Sequence, residues 1–273
     1  MARDLQDKVI LITGGSSGIG AATAVACAQA GMHVSLIARR PEKLREVGAQ
    51  VAALGRKAHF FSADVSVTWD MKKAVEDCWQ TFGRLDAVFA NAGYGQVTTV
   101  LNMPERDERS MFETNYFATT HLFRLTLPLL MKSPDGLRHL LACSSAASEI
   151  GVPMLGVYSA TKAAQDSVCC AMRAELRGDG VSVTSVHPIG TKTEFMDVAD
   201  KAGGTSGGNK NTPAALQQTP ERVASQIVAA LRKPRPEVWP SVMTRYGLAL
   251  ATAFPGVSAW AMRRHYKKLT KQT

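Results

Sequence analysis

Val9-Ile-Leu-Ile-Thr-Gly-Gly-Ser-Ser-Gly-Ile-Gly20 passes in twelve residues from a β-branched apolar run, through a glycine-rich turn, into a segment of helical period. A strand that feeds a helix through such a turn is the opening unit of a doubly wound α/β sheet. Glycines at 14, 18 and 20 permit a tight turn and let the backbone approach a phosphate. The helix start behind them offers unpaired N–H groups and a dipole that attract anions. The spacing Gly14-x-x-x-Gly18-x-Gly20 departs from the fingerprint G-x-G-x-x-G. No Lys-Ser or Lys-Thr pair follows it, which disfavours a nucleoside-triphosphate loop. Gly14, Ser16, Ser17, Gly18, Ile19 and Gly20 are therefore expected to form a dinucleotide-phosphate turn.

Outward from this unit the same two textures alternate. Short apolar runs at 9–13, 33–38, 58–63, 85–90, 139–144 and 181–187 read as strands. Segments of helical period at 19–30, 42–54, 70–82, 109–131 and 158–177 separate them. Near-continuous apolar strands divided by helices imply a parallel sheet covered on both faces. We expect an α/β protein, a Rossmann-type doubly wound parallel sheet. It should be a single domain over residues 1–240, with an apolar and basic extension at 241–273. Thr219 and Pro220 mark a further helix start. The Gly-, Ser- and Asn-rich stretch at 202–212 has the composition of a loop able to close over a pocket.

Composition narrows the function classes. With 273 residues, 45% hydrophobic and 20% charged, the chain can bury a substantial core. Cys27, Cys78, Cys143, Cys169 and Cys170 have no metal-ligand spacing and an odd total, which reads as reduced thiols in a cytoplasmic protein without a metal site. The charged N-terminal residues lack a secretory pattern. The net charge of +9 is partly in the tail from Arg263 to Lys271 and otherwise scattered, without a nucleic-acid motif. No charge falls between Arg245 and Arg263, but Gly247, Pro255 and Gly256 interrupt that run. It reads as packing on the domain or a partner subunit, as an interfacial membrane anchor helped by Trp260, or as a marginal span.

Two features carry chemistry. Tyr158 and Lys162 stand four apart on a helical segment, hence on one face, with Ser145 just upstream at a strand end. A phenol of pKa about 10 handles protons poorly near neutrality, and a neighbouring ammonium lowers that value. The second feature is Leu36-Ile-Ala-Arg-Arg40 at the end of the second strand. An acid there would hold the 2′-hydroxyl of NAD, whereas Arg39 and Arg40 suit the 2′-phosphate of NADP(H).

With Asp64-Val65, Asn91-Ala-Gly93, Asn115, Ser144-Ser145, Tyr158-x-x-x-Lys162, and Pro188 followed by Thr193, the chain resembles the short-chain dehydrogenase/reductase family over roughly its first 195 residues. The resemblance implies a homo-oligomer, dimer or tetramer, and a small-molecule carbonyl or alcohol substrate. Asp64 and Val65 would contact adenine, and Asn91, Ala92 and Gly93 would lie beside the cofactor. Asn115 would hold a water linking Lys162 to solvent. Tyr158 would be the acid or base, and Ser145, thirteen positions before it, would bond the substrate oxygen. Lys162 would bind the nicotinamide ribose and depress the tyrosine pKa. Pro188 and Ile189 would meet the nicotinamide end, and Thr193 the nicotinamide amide or the diphosphate. The family usually has glycine after that proline; Ile189 stands there, with Gly190 next. His187 reads as a satisfied core histidine. The apolar residues Tyr94, Ile189, Phe195 and Met196 point to a hydrophobic substrate. A catalytically inactive dinucleotide-binding regulator or a membrane-associated interaction protein is the alternative.

Overall fold

The computed structural model describes residues 2–133, 137–203 and 217–269, the side chains of residues 265, 268 and 269 excepted. The apolar runs form strands β1 (Val9–Thr13), β2 (His33–Ala38), β3 (Ala58–Ser62), β4 (Ala87–Ala90), β5 (His139–Cys143) and β6 (Ser182–Val186), each within two residues of its expected bounds. A two-residue strand, β7 (Glu237–Val238), was not expected: its bonds join β6, and two residues carry no readable period. The sheet order is β3-β2-β1-β4-β5-β6-β7, all parallel. This is the expected Rossmann-type α/β architecture.

The sheet is apolar on both faces because both are covered. Ile10 and Ile12 of β1 pack beneath α1 (Gly18–Gln29), α2 (Pro41–Ala53) and α8 (Pro220–Arg232). Val9 and Leu11, alternating with them, face α3 (Thr68–Phe82), α5 (Ala118–Met131) and α6 (Gly156–Glu175). The one long helix expected at 109–131 is three pieces: α4 (Glu105–Phe112), a π-helical turn (Glu113–Phe117) and α5. Thr219 caps α8 as expected, accepting from the Arg222 N–H at 3.3 Å. A short helix, α7 (Phe195–Ala202), precedes the glycine-rich stretch, which from residue 204 lies outside the described residues.

After β7 the chain forms α9 (Val242–Ala253) and α10 (Pro255–Leu269). Among the described residues no helix is long and apolar enough to cross a membrane. All five cysteines are free, four of them buried. Since the chain builds outward from β1 in both directions, a crevice opens at the switch point beyond the carboxyl ends of β1 and β4.

Candidate active site

The two strands at the switch point are stitched together by side chains. Thr13 Oγ1 accepts from the N–H groups of Asn91 and Ala92, at 3.0 and 3.1 Å. The Asn91 amide donates to the carbonyls of Thr13 and Gly14, at 3.0 and 3.2 Å. Gly14 follows with a φ of 66°, and a Cβ there would lie 2.9 Å from Ala92 Cα, so the turn admits only glycine. On its other side Thr193 comes so close that a Cβ on Gly18 would lie 2.9 Å from Thr193 Cγ2. Ser17 precedes α1 without a side-chain cap bond, so no side chain of that residue competes for the first N–H groups of the helix. Those N–H groups, with the close-set glycines, fit a phosphate.

Around this turn the arginines divide. Arg40 reaches across it: Nη2 donates to Ser17 Oγ at 2.8 Å and to Ser16 Oγ at 3.4 Å, and Nη1 pairs with Glu194 at 3.0 Å. Arg39 extends the other way, 3.9 Å from Asp64. Burial alone would raise the Asp64 carboxyl, but the Ser66 hydroxyl, the Ser66 N–H and Arg39 together hold it below its ordinary value. The side chains of Val65 and Ile19 pack against the core. Pro188 accepts from the Ala146 N–H at 3.0 Å, and Ile189 is half-buried. Gly190, the next residue, takes the left-handed conformation, with a φ of 51°. An open cleft of about 880 Å³ runs from Ser17, Gly18 and Thr193 along α1 toward Gln50; Tyr158 does not line it.

The second cluster stands at the end of β5. The Ser144 hydroxyl points inward and donates to the Lys162 carbonyl at 3.2 Å. The Ser145 hydroxyl accepts from the Ala147 N–H at 3.1 Å and stands close enough to the phenol of Tyr158 to favour its ionised form. Of the two serines, Ser145 thus faces the tyrosine. Lys162 Nζ lies 5.8 Å from the Tyr158 ring centre and donates to the Cys143 carbonyl at 2.7 Å and to Gln165 Oε1 at 3.1 Å. The expected depression of the tyrosine pKa by Lys162 is not what this geometry produces. Burial pushes Tyr158 well above its ordinary value, with the neighbouring Ser145 hydroxyl only partly opposing it. Burial also lowers Lys162.

Asn115 sits in the π turn and is fully buried. Its side chain accepts from the Tyr94 N–H at 3.0 Å and donates to the Tyr94 carbonyl at 3.0 Å and to Thr161 Oγ1 at 2.9 Å. Two residues missed by sequence reasoning link it to the lysine. Gln165 Nε2 donates to Thr119 Oγ1 at 2.8 Å, and that hydroxyl donates to the Asn115 carbonyl at 3.0 Å. Gln165 lies one turn beyond Lys162, and this spacing was the available sign of it.

An apolar shell surrounds the phenol. Met103, Met111 and Val157 pack with Tyr158, backed by Tyr94, Leu155 and Phe195. The Phe195 ring is centred 5.2 Å from that of Tyr158. Behind Ser145, His187 is buried; Nδ1 faces the Ser145 carbonyl at 3.3 Å, Nε2 meets Ser185 Oγ at 3.0 Å, and the ring stacks on Trp239 at 4.2 Å. With Glu149 and Asp166 it places three potential ligand atoms within 4.8 Å of one another, a grouping no sequence spacing foretold. Its hydrogen bonds and stacking make His187 a brace for the backbone of Ser145, the satisfied histidine that was expected.

Residues 8–202 match the short chain dehydrogenase family. An oxidoreductase of Listeria innocua is 33% identical over 233 residues, covering 84% of this chain and 92% of its own. Dehydrogenase/reductase SDR family member 7B of Xenopus laevis is 29% identical over 98% of this chain and 84% of its own. Among solved structures, an alcohol dehydrogenase of Thermococcus sibiricus complexed with 5-hydroxy-NADP superposes with a TM-score of 0.74 at 25% identity, covering 86% of this chain and 95% of that one. A 3-ketoacyl-(acyl-carrier-protein) reductase of Brucella melitensis complexed with NADH gives 0.75 at 25% identity, covering 84% and 92%. On the match across residues 8–202, carried by this parallel fold, the chain belongs to the short chain dehydrogenase family and is an oxidoreductase of that family.

Proposed function

We propose that this protein is an NADP(H)-dependent oxidoreductase that reduces the carbonyl of an apolar small molecule, or oxidises the corresponding alcohol, with Tyr158 as acid or base. The observation that carries this reading is the Tyr158 phenol beside the Ser145 hydroxyl inside an apolar shell, with Lys162 one helical turn away. When bound, the nicotinamide supplies or accepts the hydride. The glycine turn from Gly14 to Gly20, with Thr193, would hold its diphosphate, and Asp64 with Val65 would border the adenine. Arg40, directed over the turn at Ser16 and Ser17, would meet a 2′-phosphate. The NADP analogue and NADH in the two structural relatives support a nicotinamide dinucleotide.

Within the pocket the chain's own groups handle the oxygen and its proton. Tyr158, held protonated by burial, donates its phenolic proton to the oxygen of the carbonyl being reduced. Ser145, whose hydroxyl accepts from the Ala147 N–H, would donate its own proton to that oxygen and orient it beside the phenol. Lys162, fixed by Cys143 and Gln165 one helical turn from the tyrosine, would bind the nicotinamide ribose. Asn115 Nδ2 makes both of its donations and Oδ1 accepts one bond, which leaves an Oδ1 lone pair for a water. Met103, Val157, Tyr94 and Phe195 favour a hydrophobic ketone or aldehyde.

The test is a panel of apolar and polar ketones, aldehydes and alcohols, followed by NADPH absorbance with NADH in parallel. Apolar carbonyls turning over with NADPH ahead of NADH is the expected result. Nicotinamide-dinucleotide binding without turnover of any compound would instead support a non-catalytic regulator. The reduced thiols fit a cytoplasmic setting, and the exposed Phe117 and Met131 beside and on α5 suit pairing between copies.

A further inference from the structure

Beyond β7 the chain changes character. No aspartate or glutamate occurs after Glu237, whereas six of the 32 Lys and Arg residues do. Two-thirds of the net charge of +9 therefore lies in the last 36 residues. Their two helices, α9 and α10, pack against one another. Met243, Tyr246 and Leu250 on α9 share one helical face, as do Val257 and Trp260 on α10, with Phe254 at the corner between the helices. All six are exposed, from 56% to 81%. Arg245, Arg263, Arg264 and Lys267 are exposed too, and Arg264 lies over the Trp260 ring at 5.5 Å.

We propose that the α9–α10 hairpin is an interfacial anchor that docks on an anionic lipid surface. An apolar row with aromatic residues and arginines beside it is the chemistry of the headgroup boundary, where Trp and Tyr bury a ring and keep a polar tip wet. Neither helix is long and apolar enough to cross the bilayer, so the hairpin lies in its plane. Charge decides the occupant. A second copy of this hairpin would bring six positive charges against six, whereas anionic headgroups complement them.

The anchor is fixed to the wall of the catalytic cluster. Arg245 of α9 lies 3.4 Å from Glu237 of β7, and Ser241 caps the helix by accepting from the Thr244 N–H at 3.2 Å. α9 also lies against the 3-10 turn Ala146–Ser148 that directly follows Ser145. A docked hairpin thus holds the Ser145 region near the lipid, from which an apolar carbonyl compound can partition into the site. This last step rests on the carbonyl-reductase reading; the docking does not.

The experiment uses the full chain in flotation assays with vesicles of phosphatidylcholine alone or with one-third phosphatidylglycerol. Binding to the anionic vesicles is expected to exceed binding to the neutral ones by roughly tenfold at low salt, and to fall as salt screens the arginines. The triple variant Tyr246→Glu, Leu250→Glu and Trp260→Glu should lose vesicle binding while keeping its circular-dichroism spectrum and its activity on a water-soluble ketone. The pair Arg263→Glu and Arg264→Glu should lose only the anionic preference. No binding to anionic vesicles, or binding unchanged by the triple variant, overturns the proposal. So does a dimer of the unmodified chain that the triple variant abolishes, because a second copy would then cover the face. Vesicle binding with no turnover of any carbonyl leaves the anchor standing and removes the carbonyl reading.

Discussion

Tyr158 shows how far a residue's chemistry depends on what surrounds it. Burial places its pKa above the ordinary phenol value, so it carries its proton throughout the neutral range. Carbonyl reduction should therefore be flat across neutral pH and decline only at alkaline pH, and alcohol oxidation should rise in that same alkaline limb. Initial rates in both directions across pH would show this; a reduction rate falling between pH 6 and 8, by about tenfold per unit, would contradict a protonated donor. Tyr158→Phe should cut turnover about 10²–10⁴-fold while leaving NADPH affinity, measured by fluorescence titration, nearly unchanged. Arg40 is the residue whose reach over Ser16 and Ser17 bears on cofactor choice. A charge-assisted hydrogen bond is worth about 1.5–3 kcal/mol. Arg40→Ser should accordingly raise KM for NADPH by about ten- to a hundredfold with little change for NADH, as paired steady-state assays would report.

At the scale of elements, the π turn between α4 and α5 bears on the site. Asn115 lies within it, and the Thr119 hydroxyl donates to the Asn115 backbone carbonyl at 3.0 Å. The Asn115 side chain holds the backbone N–H and C=O of Tyr94, fixing the segment after β4 against the helix. Asn115→Ala would leave both groups buried and unpaired, at about 1–3 kcal/mol each. Scanning calorimetry should show a fall in Tm of several degrees, and activity should decline with it. Nothing in the period of residues 109–131 announced this break, because a π turn preserves apolar spacing to within one residue.

For the whole molecule, the buried His139 links stability to pH. Thr184 directs its own hydroxyl to the Arg235 carbonyl at 2.6 Å, so His139 Nε2 must donate to Thr184 Oγ1 at 2.8 Å. Nδ1 is buried without a partner. Burial, helped by Arg3, lowers the imidazole pKa to about 3. The unfolded chain takes up this proton near pH 6.5, and the folded chain does not until far lower. The histidine's contribution is therefore complete above that value and is lost as pH falls toward 3, by up to about 1.4 kcal/mol per pH unit. Urea unfolding at pH 7 and pH 5 should show that slope, and His139→Val should flatten it.

The sequence by itself determined the alternation of strand and helix, the parallel sheet, the glycine turn and the Ser145–Tyr158–Lys162 trio. Each is encoded locally, in a period, a forced backbone angle or a one-turn spacing that survives without knowledge of neighbours. Only the tertiary structure decided which arginine crosses the turn, and that Lys162 is gripped by Cys143 and Gln165. It also placed β7 at the sheet edge, gave Gly190 its positive φ, and left the apolar row of α9 and α10 facing outward. Hydrogen-bond partners, burial and exposure depend on segments distant in the chain, and they set the direction of a pKa where spacing sets only proximity.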